Sequence, residues 1–186
     1  MIDDAPLPPE ACDAEALLRP TLCPQDHEPS ALAPLQRHWV AWAAALAARD
    51  ERIVARIHAL SGPLEGEARR AILLALSRMG VTNPYFFSRQ FAQVDAGGNL
   101  EALAMRPFDA LGVQDATAYH YACIAISMLN GGYMCFRSHL GSLQQAGESD
   151  AAIDQAMRLT SAVAALRQIG WADAALARLE GGTDHA

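Results

Sequence analysis

The 186-residue chain has no lysine; all 14 of its basic residues are arginine. A Schiff-base lysine and a P-loop lysine are therefore excluded from any chemistry it performs. Aromatic residues make up only 6% while alanine is abundant, a balance that suits helices packed closely through small side chains better than sheets. No segment alternates with period two among β-branched residues. No Cys-x-x-C pair is present, and Cys12, Cys23, Cys123 and Cys135 are spaced unlike a zinc ribbon or a disulfide framework. There is no basic stripe on a chain of net charge −7, which argues against nucleic acid as a partner. No uncharged apolar run reaches the ~18 residues of a membrane span, and the acidic, proline-rich start MIDDAPLPPE does not read as a signal peptide. These absences predict a cytoplasmic, all-α protein with no membrane segment.

What is present organises itself in three parts. Residues 1–36 read as an acidic, Pro-rich N-terminal arm: they hold seven of the ten prolines, and seven acids against the single base Arg19. Cys12 and Cys23 fall in this arm and look incidental; a short helix around 13–18 is expected to pack on the body. Residues 37–180 read as one all-α domain, with hydrophobic residues at 52% of the whole chain supplying a sizeable core. Residues 181–186 read as a frayed tail. Within the domain, Gln36–Arg49 predicts a helix with Trp39, Trp42 or Ala43, and Leu46 on one face, the tryptophans serving core or subunit contact rather than a cofactor. Asp50 caps a second helix striped by Ile53, Val54, Ile57 and Leu60, stopped by Ser61-Gly62-Pro63. A third runs from Leu64 to a C-cap at Gly80, and Asn83-Pro84 starts a separate aromatic helix. Gly97-Gly98 reads as a loop. A long helix from Ser149 or Asp150 ends at Gly170, with Trp171–Glu180 following after a break. The pattern predicts a bundle built from helical hairpins at 50–80 and 115–147.

The chemistry concentrates in the second hairpin, DATAYHYACIAISMLNGGYMCFRSHLGSLQQAG, over residues 115–147. It reads as two helices joined by a tight turn at Asn130-Gly131-Gly132. Cys135 and His139, spaced i and i+4, share one face of the second helix. Cys135 lies in the first turn of that helix, where free N–H groups and the positive dipole end favour a thiolate and predict a pKa below that of free cysteine. His139 stands one turn on, placed to take the thiol proton. His120 lies about eleven residues before the turn and His139 eight after it; at ~1.5 Å per residue these are roughly 16 and 12 Å from the turn, so their rings can be neighbours in an antiparallel pair. The alternative for Cys135 is a buried, inert side chain, which is the expected state of Cys123 in the middle of the first helix.

Met79-Gly80-Val81-Thr82-Asn83, the aromatics and Arg89 after it, Met105-Arg106, Ile126-Ser127, Asn130-Gly131, Cys135, His139 and Gln144–Gly147 follow an ordered pattern. In it the chain resembles the AhpD-like alkylhydroperoxidases of the carboxymuconolactone decarboxylase superfamily. The resemblance implies an all-α fold, a homo-oligomer (a trimer or a multiple of it) and a peroxide-reducing site after the Asn-Gly turn. In that family a C-x-x-C supplies an attacking and a resolving cysteine, and a glutamate and a histidine relay protons. Cys135 takes the attacking position and His139 the histidine position; Gly132 stands where the resolving cysteine would be, and His120 where the glutamate would be. Cysteine at 132 is expected to permit a 132–135 disulfide, with strain if Gly132 holds a positive φ.

Three functions follow as expectations. The first is a divergent peroxidase-type enzyme reducing a peroxide or hydroperoxide through Cys135, activated by His139 and His120, with a small-molecule substrate, no cofactor, no metal and an external thiol as reductant. The second is a non-redox enzyme of the carboxymuconolactone decarboxylase kind, with His120 and His139 transferring protons. The third is a non-catalytic oligomeric binding protein. His120, Cys135 and His139 as three ligands of a transition metal form a further alternative.

Overall fold

Ten of the fourteen residues of the helix Ala116–Leu129 are buried, on every face of it. Such a helix must sit at the centre of the molecule, because a one-sided stripe would leave the rest to solvent. The computed structural model, which describes residues 7–24 and 30–181, places it there. The seven α-helices of the described residues are α1 (Cys12–Leu22), α2 (Pro34–Ala48), α3 (Glu51–Ser61), α4 (Gly66–Ser88), α5 (Ala116–Leu129), α6 (Tyr133–Gln145) and α7 (Asp150–Gly181); short 3-10 turns cover Pro9–Ala11 and Phe108–Leu111. No strand occurs among the described residues. Helix α5 packs against α2, α4, α6 and α7. Helix α2 carries a run of alanines, Ala41, Ala43, Ala44 and Ala45, all fully buried; small side chains let helix backbones approach closely. Trp39 and Trp42 are buried in the same core. No helix of the described residues is long and apolar enough to cross a membrane.

The N-terminal segment is tied to the body. Helix α1 lies along α7, and Leu18, Leu22 and Leu32 join the same buried cluster as α5. Buried Gln155 of α7 holds the segment through its amide: Oε1 accepts from Leu32 N (2.9 Å) and Nε2 donates to Thr21 O (3.3 Å). Of the expected tail, Gly181 closes α7 and residues 182–186 lie outside the described residues.

Three elements differ from the sequence-based expectation. Helix α4 does not stop at Gly80 but continues through Asn83-Pro84 to Ser88. A proline inside a helix presses its ring on the carbonyl four residues earlier. Here that residue is Gly80, which is exposed, so its unbonded carbonyl can reach water. Helix α7 likewise runs unbroken through Gly170. That glycine serves close packing: a Cβ there would stand 2.7 Å from the Arg52 guanidinium and 3.1 Å from Asp50 Oδ2. Finally, α3 takes α2 as its hairpin partner, through Arg49 in the left-handed region (φ 58°), while α4 turns away to pack on α5 and α6.

Candidate active site

The α5–α6 turn forms as its residue types require. Asn130 is the C-cap of α5, and Gly131 takes φ +68°, a conformation a side chain resists. Gly132 N donates to Ser127 O (2.8 Å) and Gly131 N to Met128 O (3.4 Å), the paired bonds of a Schellman motif. Helix α6 then starts at Tyr133, and Cys135 is its third residue. Gly132 itself has φ −83°, so the strain expected at 132 belongs one residue earlier. Gly132 is needed for space: a Cβ on it would run into Asn83 Cγ and Oδ1 and stand 2.8 Å from Asn83 Cβ. Asn83 is 1% exposed; its Oδ1 accepts from Ser127 Oγ at 3.1 Å, which ties α4 to α5 beneath the turn. The volume that a side chain at 132 would use is therefore filled by α4.

Cys135, His139 and His120 line one cavity of about 360 Å³. Its walls are Arg78, Met79, Thr82 and Phe86 of α4, Leu100 and Phe108 of the connection from α4 to α5, Tyr119 and His120 of α5, and Met134, Cys135, Ser138, His139 and Ser142 of α6. His120 Nδ1 lies 2.9 Å from His139 Nδ1. When both rings are neutral, one carries its proton on Nδ1 and the other on Nε2. Phe108 stacks on His120 at 5.2 Å between centroids and 24° between planes, and Tyr119 meets the His139 ring edge-on at 6.4 Å.

The cavity favours the neutral forms of its imidazoles and its thiol. Burial lowers both imidazoles, and His139 falls to about 3 because the neighbouring His120 and the Arg78 cation add to its desolvation. Burial pushes the Cys135 thiol up from its ordinary value, against a smaller lowering from a hydrogen bond with Thr82. This corrects the expectation of a depressed thiol pKa: a cysteine only 7% exposed loses more hydration than its place in the first helical turn was expected to return. Cys123 is fully buried and burial raises it as well. Cys12 and Cys23 are exposed, and all four cysteines are free thiols. His120, Cys135 and His139 do not group as three metal donors; no three such side chains do among the described residues.

The sequence singled out Cys135, His139 and His120, and the structure brings all three to one cavity. It did not single out Arg78, Thr82, Phe108 or Tyr119. Arg78 and Thr82 are i and i+4 on α4, so their common face was readable, but not what that face meets.

Fold and site together define an all-α protein whose helical hairpin presents a lone cysteine and a pair of imidazoles to one cavity. No family model matches the chain. Curated relatives do. The chain is 31% identical over 119 residues, 63% of its own length, to the alkyl hydroperoxide reductase AhpD of Caulobacter vibrioides, and spans 64% of that relative's length. It is 30% identical over 127 residues to the AhpD of Mycobacteroides abscessus, covering 68% of this chain and 72% of the relative. To that of Mycolicibacterium paratuberculosis it is 29% identical over 127 residues, covering 68% and 71%. The chain belongs to the AhpD-like alkylhydroperoxidase family, as a divergent member.

Proposed function

We propose that this chain is a single-cysteine hydroperoxidase acting through Cys135, with His139 and His120 as its proton relay. The observation that carries the reading is the shared cavity, in which the thiol and the hydrogen-bonded imidazole pair face the same space. Relatives named alkyl hydroperoxide reductase support the reaction class. His139 is neutral at neutral pH; its lowered pKa makes it a weak base, so it passes the thiol proton on rather than holding it as imidazolium. The Cys135 thiolate attacks the terminal oxygen of ROOH. An S–O bond forms as the O–O bond breaks, and the departing alkoxide takes the relayed proton to leave as ROH. Sulfur is oxidised to a sulfenic acid and the peroxide is reduced to an alcohol. With Asn83 filling the space beside Gly132, resolution falls to external thiols: one displaces water to give a mixed disulfide, and a second releases the oxidised reductant and regenerates Cys135. The raised thiol makes the thiolate scarce at neutral pH, so the rate climbs as the solution is made alkaline. The enzyme works in the cytoplasm as a homo-oligomer, a trimer or a multiple of it. Exposed Phe87 and Phe91, in ring contact at 5.0 Å, support a buried subunit contact there.

The test is to trap the sulfenic acid. Cumene hydroperoxide in the presence of dimedone should label Cys135 and leave Cys123 unlabelled in peptide maps. An unlabelled Cys135 at millimolar peroxide sinks the reading. The raised thiol and the direct imidazole–imidazole bond favour a second reading, a non-redox enzyme in which the His120–His139 pair moves protons and Cys135 only packs. In that case Cys135→Ala keeps full activity and His139→Gln loses it.

A further inference from the structure

One charge lines the cavity that Cys135 also lines, and no described residue balances it. Arg78 lines the cavity, and no acid does. Its guanidinium makes no hydrogen bond or ion pair with any described residue. The other arginines behave differently. Arg52, Arg56, Arg70 and Arg158 pair with carboxylates. Arg37, Arg89 and Arg167 donate to backbone carbonyls. Arg49 and Arg69, which also lack a partner of either kind, are exposed to water. Arg78 alone combines partial burial with an empty fork among the described residues. A cation partly withdrawn from water without a counterion loses hydration that nothing returns, and a planar guanidinium takes a carboxylate through two parallel hydrogen bonds.

The rest of the wall says what such an anion must carry. Met79, Phe86, Leu100 and Phe108 are apolar, so a small hydrated anion gains little there. A carboxylate joined to an apolar body satisfies both parts at once. The imidazoles add no competing charge, because burial and the Arg78 cation keep His139 neutral.

We infer that Arg78 is the carboxylate-binding residue of this cavity, and that its substrate is an amphipathic acid, a hydroperoxide with a carboxylate at one end and an apolar chain between. The hydroperoxide half of this statement rests on the peroxidase reading; the carboxylate half does not. Two measurements separate them. In the first, octanoate and its neutral isostere octanamide are compared for protection of Cys135 against alkylation. Octanoate should protect at a concentration at least tenfold lower in the wild type. That ratio should fall to about one in Arg78→Met and survive in part in Arg78→Lys. In the second, a single turnover without reductant compares a fatty-acid hydroperoxide with its methyl ester. The acid should oxidise Cys135 at least tenfold faster in the wild type, with the preference lost in Arg78→Met. Equal protection by octanoate and octanamide in the wild type overturns the Arg78 assignment, whatever the variants do. Preferential protection by octanoate with no oxidation by either peroxide upholds the carboxylate site and overturns the peroxidase reading instead.

Discussion

Helices α5 and α6 are the two arms of one hairpin, yet they live in different environments. Helix α5 is buried on every face, while α6 buries only Cys135 and Leu143. Each carries one cysteine and one histidine of the neighbourhood, and the surroundings decide what these can do. Cys123 is fully buried and does not line the cavity. Cys135 is nearly as dry but forms part of a cavity wall. His120 and His139 come from opposite arms and meet across the gap. The contrast lies in the cysteines: Cys123 on α5 is fully buried in the core and Cys135 on α6 lines the cavity, while each arm contributes one imidazole to the pair.

The contrast breaks most visibly at the cysteines. Replacement of Cys135 by Ser should abolish thiol-dependent consumption of hydroperoxide, a loss of at least 100-fold for a removed nucleophile. Cys123→Ala should retain most of the rate. Peroxide consumption with dithiothreitol as reductant measures both; equal rates for Cys135→Ser and wild type would remove α6 from the chemistry.

Stability should show the inverse. Ile126 on α5 is fully buried, whereas Leu140 on α6 is half-buried at the edge of the core. Ile126→Ala should cost about 2–5 kcal/mol, through lost transfer energy and a cavity that cannot collapse. Leu140→Ala should cost less than half as much. Urea unfolding of the two variants decides it, and similar midpoints would mean that α6 bears as much of the core as α5.

The same division explains what could be read from the sequence. The turn was legible because Asn130-Gly131-Gly132 is local chemistry, and Gly131 does take the left-handed conformation such a turn needs. The meeting of His120 with His139 was legible because antiparallel helices equalise distance from their turn. The reach of α4 and α7 was not, since Gly80 and Gly170 look like stops until their surroundings are known: open solvent at one, the Arg52 guanidinium at the other. Arg78, Thr82 and Phe108 were not legible either, because they arrive from α4 and its long connection, and only tertiary packing joins them to α6. The direction of the Cys135 shift was misjudged for the same reason. The helix N-terminus is visible in the sequence, and the apolar walls that dry the thiol are not.

The turn itself offers a sharper test. Gly132→Cys restores the family's two-cysteine pattern in sequence, yet the structure opposes it. The new Cβ would collide with Asn83, which is buried and tied to Ser127. Overpacking of this kind costs about 1–3 kcal/mol, so the single variant should be destabilised by that amount and form little 132–135 disulfide under peroxide. Gly132→Cys combined with Asn83→Ala clears the space. It should recover disulfide formation, seen as a two-dalton mass loss on the peptide carrying both cysteines. Ready disulfide formation in the single variant would show that Asn83 yields easily and does not set the lone-cysteine state.

The smallest effect lies in the imidazole pair and tests whether the gap between the arms is as dry as its geometry implies. His139 faces Arg78 and His120, and its pKa is lowered to about 3 from an ordinary value near 6.5. The native state therefore refuses a proton that the unfolded chain accepts. With a lowered folded pKa, stability is full above pH 6.5 and is lost as the pH falls from there toward 3. Between pH 7 and 5.5, where most carboxylates stay ionised, one such histidine should remove about 1 kcal/mol. Unfolding free energies for wild type and His139→Gln across that interval measure it. The glutamine can still accept from His120 through its amide oxygen but cannot titrate, so the variant should lose correspondingly less stability on acidification. An identical pH dependence in both proteins would mean that His139 takes up its proton in the folded state, and that the cavity between α5 and α6 is wet.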